Sequence, residues 1–534
     1  MSYQHHSPVS LPLSVHFCRA RSSLVRAEMA VRLVIHESVL FTSDGNGDWC
    51  LRSGADILLQ RLRYSNISLT CIHQDELASK KACFIKEVLV GHKEVRDPLR
   101  ECGAISVLSL NELMSIKEPS SSNENAEICF YATSVLEAFV AKLQSDKFNI
   151  IYIGSKIETT LEGIVFIDKL DELIITMSSV IKNGFSSVHP LTVGYLMKPS
   201  RELDFLKRGA LPLFPCKSAL IFIPISFELP LICQLERIDV ILHKVTDEIV
   251  SIDPSSSFEF PKGITFSKGM SELIRFIEEH PYNCVVDPFK NIYPLLDRLQ
   301  IQNILVGLQD IKSSSRLRAP HFLRVETFND PDLGMKLAEA NLKFPVLVKP
   351  QVACGVADAH NMAIVFKAED FRELSVPLPA IIQEYVDHGA SIYKVYVVGK
   401  EIFHAVRKSL PNSTYLLASS QKSSISPVTF NSLKSLPVAN QDESSVNDGF
   451  GKNKQSLDMD LINAAAHWMR QRLGLTIFGF DVVIQENSGD HVIVDLNYLP
   501  TFKEVTDLHA ISAFWEAIRS AYEVKKAANV VIHS

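Results

Sequence analysis

The chain predicts a mixed α/β and α+β fold in three successive parts. Two observations carry this. From residue 29 to about 312, short apolar strands alternate with helical patterns, twice over, as in parallel sheets covered by helices. Beyond residue 313 the signal changes. Segments 477–484 and 491–497, rich in β-branched and aromatic residues, flank Glu486-Asn487-Ser488-Gly489-Asp490, a hairpin turn signal.

A length of 534 residues predicts two to four domains. Apolar content of 46% and charged content of 22% fit an ordinary globular protein. The net charge of −7 gives no global basic field, so no nucleic-acid partner is expected. No apolar run is long enough to span a bilayer, so no membrane partner is expected either. The ten cysteines are scattered without a C-x-x-C pair, which suits a reducing compartment better than disulfides or zinc. A cytoplasmic monomer is the expectation.

Residues 1–28 carry His5, His6, Arg19, Arg21 and Arg26, and no acid until Glu28. Transit peptides have this composition, yet a strand opens sensibly after Met29, which favours an unstructured extension. In 29–189, strands are expected near 31–36, 67–72, 104–109, 149–154 and 163–167. Helices are expected near 53–64, 76–90, 133–144 and 171–182, and a loop at 119–126. A haloacid-dehalogenase-like domain needs Asp-x-Asp after its first strand; here the residues are His36-Glu37-Ser38. Any such site is degenerate, and a non-catalytic domain is expected.

A second α/β unit, 190–312, ends its strands in Lys198-Pro199-Ser200-Arg201, His243-Lys244-Val245-Thr246-Asp247 and Asp287-Pro288. Open α/β sheets bind ligands at such strand ends. The third part is 313–523, with a polar insert at 411–457, expected as disorder or a mobile flap, and a tail at 524–534.

In the hairpin, a turn centred on Ser488 puts Asp481 directly opposite Asp495, with Asn497 on the same face. Opposed carboxylates repel. A hard divalent cation between them removes the penalty. Upstream, Val346-Leu347-Val348-Lys349 is a buried strand ending in lysine, followed by a loop of small residues, 351–359. Small residues let main-chain N–H groups approach phosphate. Next come Ile382-Gln383-Glu384-Tyr385-Val386, a strand running into a hinge, and Tyr393-Lys394-Val395-Tyr396.

In this order, the lysine strand, small loop, hinge, Lys-x-Tyr strand and Asp481…Asp495-x-Asn497 hairpin resemble the ATP-grasp fold. Within it the chain resembles the inositol 1,3,4-trisphosphate 5/6-kinase (inositol-tetrakisphosphate 1-kinase) family. The carrying segments include His243-Lys244-Val245-Thr246-Asp247, Leu295-Leu296-Asp297-Arg298, Val348-Lys349-Pro350, His360-x-Met362-Ala363-Ile364-Val365 and Phe478-Gly479-x-Asp481. Similarity covers 190–523. Together with 29–189, the chain looks like the longer plant subtype with an extra N-terminal domain. Because the kinase motifs lie beyond Gly194, that domain is expected to bind no nucleotide.

The resemblance implies roles. Arg298 and Lys349 should contact ATP phosphates. Gln383, Glu384, Tyr385 and Val386 should clasp the adenine, with Ser409 and Ser432 nearby. Asp481, Asp495 and Asn497 should hold two Mg²⁺ ions. Arg201 (or Lys198), Lys244, Gly355, His360, Lys394, Asn497 and Thr501 should meet the inositol phosphate, with His360 and Lys394 at the reacting centre. Cys354 stands where relatives carry His or Asp, and Thr501 where they carry Gly. Both departures lie on the inositol side. Two alternatives stay open: an ATP-grasp carboxylate–amine ligase and a non-catalytic inositol-phosphate binder.

Overall fold

The computed structural model describes residues 30–43, 49–73, 105–109, 127–136, 140–184, 190–215, 219–253, 262–311, 316–423, 427–434, 436–437 and 456–533, with isolated positions 83, 87 and 112. The first part is a six-stranded sheet in the order Ile105–Ser109, Ser68–His73, Ala30–His36, Glu127–Thr133, Asn149–Ile153, Val165–Ile167. Every pairing in it is parallel. Its central strands are near-continuous apolar runs because both faces are covered. The order reverses between Ala30–His36 and Glu127–Thr133, so the crevice of this sheet opens at His36.

The strand Glu127–Thr133 is absent from the sequence reading, although it pairs with the first strand along most of its length. It follows directly on the polar stretch 119–126, and the helix expected at 133–144 is only Val140–Ser145 among the described residues. The 1–28 extension, the 119–126 loop and nearly all of the expected 76–90 helix lie outside the described residues.

The second part is a parallel four-stranded sheet in the order Leu220–Pro224, Leu191–Leu196, Val240–His243, Cys284–Val286. The third holds two five-stranded sheets. One runs Leu317–Arg318, His491–Tyr498, Ile477–Ile484, Ser391–Val398, Glu401–Lys408; the other runs Phe322–Val325, Ala380–Glu384, Val346–Pro350, Asn361–Val365, Val428–Asn431. Helix Met459–Leu473 backs the first. Asp458 caps its N-terminus, and Gly474 ends it in the left-handed conformation (φ 64°), which glycine adopts without strain.

Second and third parts are not separable bodies. One apolar cluster contains Val193, Leu242 and Ile292 together with Phe478, Phe480, Leu496 and Phe514. The Asp287 carboxylate crosses the junction and accepts from Thr476 N at 2.7 Å and Ile477 N at 3.1 Å. Burial raises this carboxyl to about 6, opposed by those same hydrogen bonds.

Among its described residues the 411–457 insert carries a helix, Ser413–Ser423, and an edge strand, Val428–Asn431, antiparallel to Asn361–Val365; 424–426, 435 and 438–455 lie outside the described residues. The helix forms because Asp387 caps it: Ser413 N and Oγ donate to its two carboxylate oxygens at 2.6 and 2.7 Å. Residues 524–533 are no tail but the end of helix Asp507–His533, held by Asn529 Nδ2 donating to Tyr282 O at 2.9 Å.

The N-terminal sheet docks on the second part through a mixed core of Leu58, Leu62, Ile174, Leu213, Ile221 and Ile223. At its edge Arg61 clasps Glu202 with two bonds, of 2.6 and 3.2 Å, and Tyr195 Oη donates to the same carboxylate at 2.6 Å. Removing one partner of a buried pair strands the other and costs about 3–5 kcal/mol. Arg61→Ala is therefore expected to lower the thermal midpoint of the whole chain by several degrees in calorimetry. An unchanged midpoint would show that the domains dock on apolar contacts alone.

Candidate active site

The hairpin pairs Asp481 with Asp495, as the sequence suggested, by a different route. Near the turn, Ile484 pairs with His491 and Val482 with Ile493, a register that would set Asp481 against Val494. The register shifts between Asp481 and Val482. On Ile477–Ile484, Phe478, Phe480 and Val482 face the large core. On the partner strand Ile493 and Leu496 do so, and the two residues between them share the other face. Without this bulge Asp495 and Asn497 would point into the core.

Three charges surround the pair. Lys394, opposite Asp481 on Ser391–Val398, gives its ammonium to Asp481 at 3.2 Å. Lys349, buried at the end of Val346–Pro350, is pushed down to about 8 by burial, opposed by Asp495. Arg298 is buried and feels Asp495 most among the charges. Burial still raises Asp481 to about 6, with Lys394 opposing and Asp495 adding to it. Asn497 Nδ2 donates to Asp495 at 3.4 Å. Among the described residues no group of three or more His, Cys, Asp and Glu gathers to hold a metal, here or elsewhere. Two carboxylates and an amide form an all-oxygen donor set, which suits a hard cation that keeps water and phosphate ligands.

Arg298, expected at the ATP phosphates, makes extensive main-chain bonds. Its two Nη groups donate to four carbonyls: Pro350 at 2.6 Å, Val352 at 2.8 Å, Ala353 at 3.3 Å and Ala359 at 3.0 Å. It holds the small-residue loop. Asp297 and Gln351 complete the clamp, with Gln351 Nε2 donating to Asp297 at 2.9 Å. The composition of 351–359 signalled the loop but not what shapes it. Gly355 sits at φ 92°, and a Cβ there would meet Ile249 Cδ1 at 2.7 Å.

His360 follows this loop. Its Nδ1 lies 3.2 Å from Ser432 Oγ, and Ser432 N donates to His360 O. Burial, then Arg298, holds the imidazole below its ordinary value. The insert's edge strand thus brings Ser432 to His360.

On the second part's strand ends, Lys244 donates to Tyr498 O and lies 3.6 Å over the Tyr498 ring. Burial and the nearby Arg201 push it down to about 7. Arg201 pairs with Asp247 at 3.2 Å. Cys354 lies within the fields of Lys244 and Arg298, yet burial outweighs both and raises its thiol. Thr501 accepts Arg208 Nη2 at its carbonyl, 2.6 Å away.

The hinge side chains are committed elsewhere. Gln302 Nε2 donates to Gln383 at 3.4 Å; Glu384 accepts both Arg318 Nη groups at 2.8 Å; Tyr385 Oη donates to Pro411 O. Val386 is buried with Val483 and Val492. Ser409 N donates to Ala390 O just beyond. The structure therefore brings Lys349, Lys394, Asp481, Asp495 and His360 into one cleft and diverts the polar groups of Gln383, Glu384 and Tyr385. Arg318 and Asp387 were missed; only their long-range partners mark them.

A cleft between two antiparallel-rich sheets, with lysines and opposed carboxylates inside, defines a nucleotide-using enzyme of the ATP-grasp class. Residues 311–515 match the model of the inositol 1,3,4-trisphosphate 5/6-kinase ATP-grasp domain, and residues 28–183 that of the ITPK4 N-terminal HAD-like domain. The chain is 50% identical to inositol-tetrakisphosphate 1-kinase 6 of Oryza sativa subsp. indica, over 95% of this chain and 92% of that protein. It is 32% identical to inositol-tetrakisphosphate 1-kinase of Xenopus laevis over 51% of this chain and 64% of that one. With the Zea mays inositol-tetrakisphosphate 1-kinase 1 it shares 26% identity, over 64% and 96%. The chain belongs to the inositol 1,3,4-trisphosphate 5/6-kinase family of inositol phosphate kinases. No described helix is long and apolar enough to cross a membrane.

His243, which leads into Lys244, generates a pH prediction. It is fully buried, stacks on Phe289 with centroids 4.4 Å apart, and bonds Asp287 O at 3.0 Å through Nε2. Burial lowers it to about 4. The unfolded chain then binds the extra proton between about 4 and the ordinary 6.5. This contribution is whole above pH 6.5 and is lost as pH falls toward 4, by up to about 3 kcal/mol. Urea denaturation at pH 7.5 and 5.0 is expected to show a stability drop in wild type that shrinks in His243→Phe. Equal drops in both proteins would reject the assignment.

Proposed function

We propose that the protein transfers the γ-phosphate of ATP to a hydroxyl of an inositol polyphosphate, with Mg²⁺. The acceptors are inositol 1,3,4-trisphosphate at its 5 or 6 position, inositol tetrakisphosphate at its 1 position, or both. One observation supports this above others: two separate sets of cations lie near the carboxylate pair. Lys349 feels Asp495 and Asp481 from one sheet of the third part, and Lys244 clusters with Arg201 and Lys198 at the second part's strand ends, beside Cys354, which feels both Lys244 and Asp495. A small amino-acid substrate has no use for the second set; a multiply phosphorylated ring does.

Asp481, Asp495 and Asn497 would hold two Mg²⁺ ions, and their all-oxygen chemistry fits that ion. Bound there, Mg²⁺ supplies neutralisation of phosphate charge during transfer. The chain's own residues do the positioning. Lys349 takes an ATP phosphate. Arg298 fixes the 350–359 loop so that its main-chain groups stand in place before ligand arrives. Gln383, Glu384, Tyr385 and Val386 would meet the adenine through their main chain, with Ser409 and Ser432 alongside. His360 orients the attacking hydroxyl. Lys394, paired with Asp481, reaches the same hydroxyl's neighbouring phosphate. Gly355 and Thr501 line the ring. The domain at 29–189, with His36-Glu37-Ser38 where Asp-x-Asp is needed, serves as a non-catalytic partner.

Chromatography of products from ATP, Mg²⁺ and a panel of inositol tris- and tetrakisphosphates tests the reading directly. Asp495→Asn is expected to abolish turnover and leave the fold intact; wild-type turnover in that variant sinks the metal assignment.

The two cation sets should also separate. Lys349→Ala is expected to weaken ATP, and Lys244→Ala and Lys394→Ala the inositol phosphate. A charged hydrogen bond is worth about 1.5–3 kcal/mol, so each loss should cost roughly 10- to 100-fold in affinity by calorimetry. The reverse pattern would mean the sites are exchanged or merged.

A further inference from the structure

Away from this cleft, a cavity of about 880 Å³ opens between helix Asp507–His533, the edge strand Cys284–Val286 and the turn at 398–401. None of the residues assigned above lines it. Its floor is apolar. Ala513, Ala517 and Ala521 recur every four residues on the long helix; the first two are buried, Ala517 against Gly399, and Ala521 is partly exposed to the cavity.

Around this apolar floor the charge is unbalanced. Lys290, Lys400, Arg470 and Lys525 line the cavity, against Glu401 and Glu516. Glu516 already accepts Ser520 Oγ at 3.3 Å. Arg470 is the informative member. Its Nε and Nη2 are buried and have no hydrogen-bond partner. Burial alone lowers its guanidinium, with no carboxylate acting on it. Buried donors of a charged group cost free energy when left unpaired, so native structures pair them. A guanidinium fork matches a carboxylate or phosphate bidentately.

We propose that this cavity is a second binding site, for a small amphipathic anion whose apolar body lies on the alanine face and whose carboxylate or phosphate head meets Arg470. The shape argues against a bare polyanion such as an inositol phosphate, which would leave the apolar floor wet. It also argues against an uncharged hydrocarbon, which would bury Arg470 further without a partner.

The test uses the full chain and three probes of one length: decanoate, decyl phosphate and decanol, titrated calorimetrically below their aggregation concentrations. One anion per chain is expected to bind saturably, undisplaced by Mg-ATP or inositol hexakisphosphate, and decanol at least tenfold more weakly. The stronger of the two anions identifies the head group. Arg470→Gln should weaken the anion tenfold or more while melting no lower than wild type, because the lost donors have no partner to lose. Ala521→Phe, which fills the floor, should remove binding with kinase turnover unchanged. The proposal is overturned by any of four results: no saturable binding, equal affinity for decanol, displacement by Mg-ATP, or wild-type affinity in Arg470→Gln. A large fall in the melting temperature of Arg470→Gln would likewise overturn it, by making Arg470 a structural group.

Discussion

Two carboxylates held face to face in one hairpin set the terms for the rest of the kinase half. Asp481 and Asp495 repel, and burial makes the charged form of Asp481 dearer still. The fold answers by bringing positive charge from separate elements: Lys394 from the neighbouring strand and Lys349 from the other sheet. The two sheets must therefore close on each other for the hairpin to be tolerable. Their joint is apolar, Val386 of one sheet packing on Val483 and Val492 of the other. The bulge at Val494 belongs to the same constraint, since it turns the charges out of the core.

Arg298 shows a second layer of the same logic. Four carbonyl acceptors take up the Nη donors of this guanidinium, four of its five N–H groups, so it fixes the geometry of the loop. Asp297 beside it caps helix Arg298–Val306 and holds Gln351. The loop that approaches phosphate is thereby built on the second part's last helix. This explains why second and third parts share one core: their separation would unmake the loop.

The sequence made the hairpin legible because like charges on an apolar strand conflict with ordinary sheet chemistry, and only a site resolves the conflict. Its turn was read one step off centre, and the bulge restored the pairing by compensating that step. Lys349 and His360 were legible as a strand-end lysine and a loop-end histidine. The carbonyl acceptors of Arg298 were not legible, because motif order does not show where a guanidinium's N–H groups bond. Nor was the side-chain partner of Glu384, since Arg318 lies 66 residues away. The strand Glu127–Thr133 was lost beside a long polar stretch, although the first strand of the sheet depends on it. The insert read as disorder or a mobile flap from composition, which cannot show that Asp387, outside it, accepts from Ser413 at the start of its helix. Local pattern reports propensity; long-range hydrogen bonds decide these cases.

The inositol side of the cleft is built as a seam between the second and third parts. Tyr498 meets Thr246 through its hydroxyl, 3.2 Å from Thr246 Oγ1, and carries Lys244 on its ring. Beyond it, Leu499 and Phe502 hold positive φ of 39° and 40°, a conformation that costs side-chain-bearing residues of order 1–3 kcal/mol each. Arg208 from the second part keeps them there. It donates to Thr501 O and lies 4.9 Å over the Phe502 ring, while Phe502 packs edge-on against Phe205 at 5.6 Å. A glycine at 501 would leave this turn free to relax; threonine limits the accessible backbone and adds weight to the strained form. Cys354, which feels the Lys244 charge, is only a weak hydrogen-bonding group. Shape and main-chain placement, more than the side-chain chemistry of the two departing residues, therefore define this seam.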